Sequence, residues 1–195
     1  TNLDKVLFPG LGDEPPITKR DLLRYHVQIA PTLVPYLRDR GLTVQRYPNG
    51  VGQKGFWQKD LPSHAPDWVR RWTFHHRSEG PKEYPVVDSA ATLAWLAQEA
   101  VVELHPWTSP TDAPERPSYA LIDIDPGPAT TWDEVLVIAR LYRTALEHLG
   151  VRGHPKVTGK RGIQVWIGIA PGPTFDDTGD WVEELSRAVG ASVPD

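Results

Sequence analysis

A short apolar run that carries two aspartates is the feature that most constrains how this chain can fold. Residues 119–124 read Tyr-Ala-Leu-Ile-Asp-Ile, and Pro126-Gly127-Pro128 follows almost at once. The run predicts a buried strand that the proline turn ends. Because side chains at i and i+2 of a strand point to the same side, Asp123 and Asp125 are expected to share one face.

This aspartate pair is a candidate metal site. Neighbouring carboxylates repel each other unless a cation lies between them, and hard oxygen ligands favour Mg²⁺ or Mn²⁺. In phosphoryl transfer such a pair holds metal over the attacking oxygen and the triphosphate. Two aspartates that simply end a strand before a proline turn are the structural alternative. The buried flank and the turn favour the metal site.

Composition excludes several classes of protein. The chain has 195 residues, of which 39% are hydrophobic and 24% charged, as in a globular fold of one large or two small domains. Cysteine is absent, which excludes disulfides and thiolate metal sites and fits a cytoplasmic protein. No run approaches the roughly 18 apolar residues of a membrane span. Methionine is also absent and the chain starts at Thr1, so we expect a piece of a longer protein.

Charge is distributed unevenly along the chain. Residues 1–82 carry 13 Lys and Arg against 8 Asp and Glu, a balance of +5, whereas residues 83–195 carry 8 against 17, a balance of −9. Such asymmetry indicates a nucleic-acid-binding surface in the basic half. A merely solvated acidic surface is the alternative.

The remaining pattern predicts an α+β fold of mainly antiparallel strands with helices packed against them. Helices are predicted over residues 19–30, 32–40, 89–99, 132–149 and 181–189, with Thr18 and Ser89 as N-caps and with Gly41 and Gly150 at helix ends. Strands are predicted over residues 42–47, 55–59, 101–105 and 119–124, and in a hairpin of residues 156–157 with 163–169. Residues 60–82 show no clean period and are predicted to be irregular with short strands.

Further motifs combine basic, aromatic and glycine residues. The turn Thr158–Gly162 holds Lys160 and Arg161, which supply charge where glycines let backbone N–H groups approach a phosphate; a basic surface turn is the alternative. Arg46, Phe56 and Trp57 are the residue types that neutralise phosphates and stack bases, although such aromatic pairs are more often core. His105, a lone histidine at a strand end, would ordinarily be structural.

Taken in order, these segments resemble the polymerase domain of bacterial ATP-dependent DNA ligase D, a non-homologous end-joining enzyme of the archaeo-eukaryotic primase superfamily. The similar stretches are TNLDKVLFPG, ITKRDLLRYH, QRYPNGVGQKGFWQKD, YPVVDSAATLAWLAQEAVVELHPW, ALIDIDPGP and PKVTGKRGIQVW, which together cover nearly the whole chain. The resemblance implies a primase-like core over residues 1–195, made of mainly antiparallel sheet with flanking helices.

The resemblance also implies an activity and partners. It implies metal-dependent addition of nucleotides, preferably with Mn²⁺ and with ribonucleotides over deoxyribonucleotides, at gapped or broken DNA that carries a 5′-phosphate. NTP or dNTP, DNA ends, Ku and an attached ligase domain are the implied partners, in the cytoplasm at the nucleoid. An end-binding module with weak or lost polymerase activity is the alternative function. The aspartate motif alone would also fit a Mn²⁺-dependent glycosyltransferase, against which the basic N-terminal half and the ordered matches argue.

Individual positions match functional residues of that family. Asp123 and Asp125 match metal-binding aspartates, while His105 and Arg161 match residues that contact the triphosphate, with Thr158, Lys160 and Arg46 expected at the same nucleotide. Asn2, Lys5 and Lys19 match a pocket for the downstream 5′-phosphate, and Phe56 and Trp57 match an aromatic pair that meets the DNA.

The sequence also departs from the family's pattern. Gln45 stands where the family often has lysine, Gln164 replaces a frequent histidine, and the turn at Thr158–Gly162 is one residue shorter. A third metal-binding aspartate is expected beyond the last helix, so residues 1–195 are expected to bind phosphorylated ends but to extend primers poorly alone. Asp176, Asp177 and Asp180 are predicted to cap a helix start and are no obvious substitutes.

Overall fold

The computed structural model describes residues 2–159 and 161–193. The chain divides into two compact units, Thr1–Trp107 and Thr108–Asp195. Every strand pair described in either unit is antiparallel, and helices accompany the sheets of both units. The predicted α+β class is therefore confirmed. None of the helices in the described residues is both long and apolar enough to cross a membrane.

The first unit is built from small sheets and two helices. Its elements are β1 (Val6–Phe8), β2 (Ile17–Thr18), α1 (Lys19–Leu37), β3 (Leu42–Arg46), β4 (Phe56–Gln58), β5 (Arg71–His76), β6 (Gly80–Pro85), α2 (Ala90–Gln98) and β7 (Val101–Pro106). β1 pairs with β2, β3 lies between β4 and β7, and β5 pairs with β6. The main core joins α1 and α2 to β3 and β7 through Val34, Leu42, Leu93, Leu96 and Val101.

α1 is one helix where the sequence predicted two. It begins at the capping box of Thr18 and Asp21, as predicted, and continues through Pro31 and Pro35. Buried Leu22, His26, Ala30, Val34 and Leu37 form one stripe at spacings of three and four residues. The free energy gained by burying this stripe is larger than the cost of the two backbone hydrogen bonds that the prolines cannot donate. The predicted end at Gly41 is also wrong, because the helix stops at Leu37 and Asp39 takes the positive φ of 57°.

Residues 71–85 form a more regular structure than predicted. β5 and β6 pair in a continuous register from Arg71 with Pro85 to His76 with Gly80, and Gly80 turns the chain at a φ of +73°. The hairpin is held by ring contacts such as those of Trp72 with Phe74 and Tyr84. Trp72, Phe74 and His76 alternate at the two-residue spacing of a strand, a signal that the prediction of irregular structure over residues 60–82 overlooked.

The second unit is a three-stranded sheet with two helices. Its elements are β8 (Tyr119–Ile124), α3 (Trp132–His148), β9 (Gly153–Val157), β10 (Ile163–Gly168) and α4 (Phe175–Ala191). β10 lies between β8 and β9, so β9, which carries Pro155, is an edge strand of this sheet. One core contains Ile122 from β8, Val165 from β10, Leu146 from α3 and Leu185 from α4. Asp123 lies on the opposite face of the sheet from this core and is exposed.

Candidate DNA-end and metal sites

Lys5, Lys19 and Arg46 form a cationic cluster in the first unit, where β1 meets β2. Val6 pairs with Thr18, and the Lys19 N–H donates to the Lys5 carbonyl (2.9 Å). The Lys5 N–H in turn donates to the carbonyl of Asn2 (3.3 Å), which has a positive φ of 56°. A short strand pair thus brings together the three residues expected at a 5′-phosphate.

The C-terminal end of α2 adds Arg46 to this cluster. The Lys19 ammonium donates to the Gln98 carbonyl (3.0 Å), and Arg46 Nε donates to the Glu99 carbonyl (2.8 Å). Arg46 also forms an ion pair with the Glu99 carboxylate (2.6 Å) that is mostly buried on both sides. Both cations therefore occupy the negative end of the α2 dipole.

The electrostatics of Lys19 show how crowded this cluster is. Burial lowers the pKa of Lys19, and the nearby charges of Lys5 and Arg46 lower it further, while Glu99 opposes the shift. A phosphate placed beside these cations would act in the same direction as Glu99 and favour the charged form of Lys19. The cluster is accordingly suited to a phosphate group.

The aromatic pair on β4 is divided between the two faces of the β4–β3–β7 sheet. The Phe56 ring lies 5.4 Å from the Arg46 guanidinium carbon, on the face of the cationic cluster. The Trp57 ring lies 4.7 Å from the His105 ring, on the other face. Alternation along β4 causes this division. Arg46, expected at the nucleotide together with His105, is consequently on the opposite face of the sheet from His105.

The aspartate pair lies at the end of β8 as predicted. Asp123 and Asp125 are exposed, whereas Ile124 between them is partly buried against the core. Neither carboxylate has a hydrogen bond or ion pair to another described residue. Their oxygens are available, and two carboxylates suit a hard divalent cation. Among residues 2–159 and 161–193, however, no group of three His, Cys, Asp or Glu side chains could hold a metal.

Asp176 and Asp177 serve the start of α4. The Asp177 carboxylate accepts hydrogen bonds from the backbone N–H (2.8 Å) and hydroxyl (2.7 Å) of Thr174. These bonds hold the pKa of Asp177 below its usual value. Asp176 lies beside it in the first turn. The predicted role at a helix start is therefore right for Asp176 and Asp177 and wrong for Asp180, because the helix begins at Phe175 and not at the predicted Trp181, which places Asp180 inside it.

Cross-strand partners of Asp123 extend the polar row over the sheet. Asp123 pairs with Gln164 on β10, which pairs with Lys156 on β9. Gln164 Oε1 accepts hydrogen bonds from the Lys156 ammonium (3.4 Å) and the Trp166 indole (3.3 Å). The glutamine that replaces the frequent histidine is therefore fixed between a cation and an aromatic ring.

The turn between β9 and β10 is closed by its own residues. The Thr158 N–H and hydroxyl both bond to the Gly162 carbonyl (3.1 and 3.2 Å), and Gly159 has a φ of +90°. Arg161 donates to the carbonyls of Gly127 (3.2 Å) and Thr130, in the loop that follows the aspartates. Arg161 therefore anchors that loop. Lys160, expected at the nucleotide, lies outside the described residues.

Comparison with known proteins assigns this fold to the primase-polymerase class. Residues 18–195 match the family model described as "LigD, primase-polymerase domain". The chain belongs to the LigD primase-polymerase domain family, which confirms the resemblance of the sequence segments.

Proteins with similar sequences are end-joining proteins. The chain is 34% identical over 172 residues to a multifunctional non-homologous end joining protein LigD of Mycolicibacterium smegmatis, covering 87% of this chain and 22% of the relative. It is 30% identical over 197 residues to a bifunctional non-homologous end joining protein LigD of Bacillus subtilis, covering 100% of this chain and 30% of the relative. The chain thus spans less than a third of these relatives.

A solved structure shares the fold. The polymerase domain of Mycobacterium tuberculosis ligase D in complex with DNA matches with a TM-score of 0.87 and 29% sequence identity. The match covers 98% of this chain and 68% of that one.

Proposed function

We propose that this chain binds DNA ends or gaps through a 5′-phosphate and takes part in metal-dependent addition of nucleotides during non-homologous end joining. The observation that carries the proposal is the cluster of Lys5, Lys19 and Arg46, assembled by the β1–β2 pair and the end of α2. Family membership supports it, because the similar solved domain is a polymerase domain in complex with DNA.

The 5′-phosphate is the specific ligand that the cluster favours. Its dianion would accept charge-assisted hydrogen bonds from Lys5 and Lys19, with Asn2 beside them. The Phe56 ring, exposed next to Arg46, would offer a face on which a terminal base can stack. A positioned phosphate and a stacking ring together distinguish a DNA end from a continuous duplex.

For the chemical step, Asp123 and Asp125 would hold Mn²⁺ or Mg²⁺. A bound metal supplies Lewis-acid stabilisation of phosphate charge and activates a 3′-hydroxyl. The carboxylates are exposed and uncommitted within the described residues, which fits a hard cation. Separately, His105 in the first unit would bind an anionic group of the nucleotide, and ribonucleotides are the expected substrate.

Two measurements test this function. Affinity for gapped DNA should be higher with a 5′-phosphate than with a 5′-hydroxyl at the gap, measured by fluorescence anisotropy at one fixed salt concentration. Primer extension should be measured with the full-length protein, with Mn²⁺ and with NTP or dNTP. Equal affinity for the two ends would refute the phosphate pocket. Selection of phosphorylated ends without any extension would favour the end-binding module.

A further inference from the structure

The His105 ring is held on two sides in the first unit. Its Nε2 lies 3.1 Å from Glu103 Oε2, and its ring meets the Trp57 ring edge-on with centroids 4.7 Å apart. Glu103 and His105 occupy positions i and i+2 of β7, so their side chains emerge on the same face. Two different contacts thus fix one exposed imidazole.

The Glu103 carboxylate is itself held in place. The Tyr47 hydroxyl donates to Oε1 (3.0 Å). The Gln45 amide, with its nitrogen turned toward the carboxylate, donates to Oε1 (2.6 Å) and Oε2 (3.1 Å). Burial, together with the bond to Glu103, raises the pKa of Tyr47, so the phenol stays a neutral donor. Gln45, where the family often has lysine, is therefore a partner of this carboxylate.

These contacts determine what the other ring nitrogen can do. Nδ1 of His105 has no hydrogen-bond partner within the part of the chain that the structure describes. When Nε2 of a histidine ring donates to a carboxylate, Nδ1 carries a proton only if the ring is an imidazolium. Only the imidazolium can therefore donate from both nitrogens. A phosphate oxygen on the open side would accept from Nδ1–H of that imidazolium while Glu103 accepts from Nε2–H. The arrangement suits His105 to donate to an anionic oxygen on its open side.

We propose that Glu103 is a positioning residue for nucleotide binding: it orients His105 through Nε2 so that Nδ1–H is presented to a phosphate oxygen, while Tyr47 and Gln45 fix the carboxylate. The proposal rests on the proposed function, in which His105 binds the nucleotide. A competing effect has the opposite sign, because the negative charge of Glu103 also repels a triphosphate. Removal of Glu103 therefore weakens nucleotide binding if positioning dominates and strengthens it if repulsion dominates.

The test is calorimetric titration of the chain with ATP and Mg²⁺. Glu103→Ala should weaken affinity about tenfold, the effect of one charge-assisted hydrogen bond. Glu103→Gln, which keeps the size and an acceptor oxygen, should lose less. The variant with both Glu103→Ala and His105→Ala should bind no more weakly than His105→Ala alone, because Glu103 acts through His105. Binding to gapped DNA with a 5′-phosphate should be unchanged in Glu103→Ala.

Independent losses from Glu103→Ala and His105→Ala, or tighter ATP binding by Glu103→Ala, would overturn the proposal. Nitrogen NMR of the His105 ring provides a readout that needs no nucleotide. It should show a proton on Nε2 that changes environment in Glu103→Gln, and a ring protonated only on Nδ1 would contradict the contact. If wild type binds no ATP while the ring keeps its Nε2 proton, the nucleotide site of the proposed function fails and the contact of Glu103 with His105 stands.

Discussion

Phe56 and Trp57 are neighbours in sequence, yet their side chains lie on opposite faces of one sheet. Phe56 contacts the guanidinium of Arg46, and Trp57 contacts the ring of His105. Both rings are about half exposed, at 45% and 54%. The adjacent pair therefore supplies one aromatic ring to each of two surfaces, and replacing either ring tests only one of them.

Replacement of these rings should separate two kinds of binding. Phe56→Ala should weaken binding to 5′-phosphorylated gapped DNA by about 1–3 kcal/mol, the contribution of one stacked base, with little effect on ATP. Trp57→Ala should instead weaken ATP binding, because His105 loses its ring neighbour. Trp68→Ala, which removes an exposed tryptophan elsewhere in the first unit, serves as the control. Equal effects of Phe56→Ala and Trp57→Ala on both ligands would contradict the division.

The affinity of the cationic cluster should depend on the charge of the DNA end. Lys5→Gln and Lys19→Gln keep a hydrogen-bond donor but remove a charge, and each should cost about 1.5–3 kcal/mol of affinity for a 5′-phosphate. Affinity for a 5′-hydroxyl end should hardly change. Lys54→Gln, an exposed lysine of the β3–β4 connection, should leave the ratio of the two affinities unaltered, and anisotropy titrations measure all three ratios. A preserved ratio in Lys5→Gln and Lys19→Gln would exclude these lysines from the phosphate pocket.

Metal binding should appear as thermal stabilisation. Mn²⁺ at 100 times its dissociation constant should add about 2.7 kcal/mol to the free energy of unfolding, and Asp123→Ala should abolish the resulting rise in Tm. Asp180→Ala removes an exposed aspartate from α4 in the same unit and should keep the rise. Scanning calorimetry with and without Mn²⁺ makes the comparison. Equal stabilisation of wild type and Asp123→Ala would place the metal elsewhere.

Gly162 should tolerate no side chain. A Cβ there would lie 2.9 Å from the backbone oxygen of Ile124, where β10 approaches β8 beside the aspartates. Gly162→Ala should therefore lower the free energy of unfolding by about 1–3 kcal/mol. Gly179 lies inside α4 with open space around it, and Gly179→Ala should stabilise by about 0.5–1 kcal/mol. Urea denaturation of both variants measures these opposite signs.

Acid should weaken the start of α3. The bonds from the Thr131 backbone and hydroxyl hold the pKa of Glu134 below its usual value. Because the folded-state pKa is depressed, this stabilisation is complete above the unfolded pKa and is lost as the pH falls through the folded pKa. Glu134→Gln keeps a capping-box partner that does not titrate. The stability difference between wild type and Glu134→Gln should therefore shrink on acidification below about pH 4, measured by urea denaturation.

Local signals predicted much of this structure. The caps Thr18 and Ser89, the end of α3 at Gly150 and the strand that carries Asp123 follow from residue types a few positions apart. These features depend on contacts between residues that are close in the chain, so the local pattern of residue types is enough to predict them.

Long-range contacts were not predictable in the same way. The ion pair of Arg46 with Glu99 joins residues 53 positions apart, and nothing near either residue indicates the other. The role of Glu103 likewise depends on Tyr47, which β3 and β7 bring close only after they pair. Once β4 is known to be a strand, alternation places Phe56 and Trp57 on opposite faces of the sheet. Which of these faces carries the cationic cluster depends on where β1 and α2 pack.

Pro155 determines where the sheet of the second unit can grow. In an edge strand such as β9, a proline is accommodated with its missing N–H directed outward. A further strand that paired with β9 would lack one backbone hydrogen bond at Pro155. Such missing donors are one way that proteins resist unwanted edge-to-edge association. β8 has no proline between Tyr119 and Ile124. Polymerisation of the chain into fibres, or exchange of strands between copies, is therefore disfavoured along β9, and β8, which carries Asp123, is the other edge strand of this three-stranded sheet.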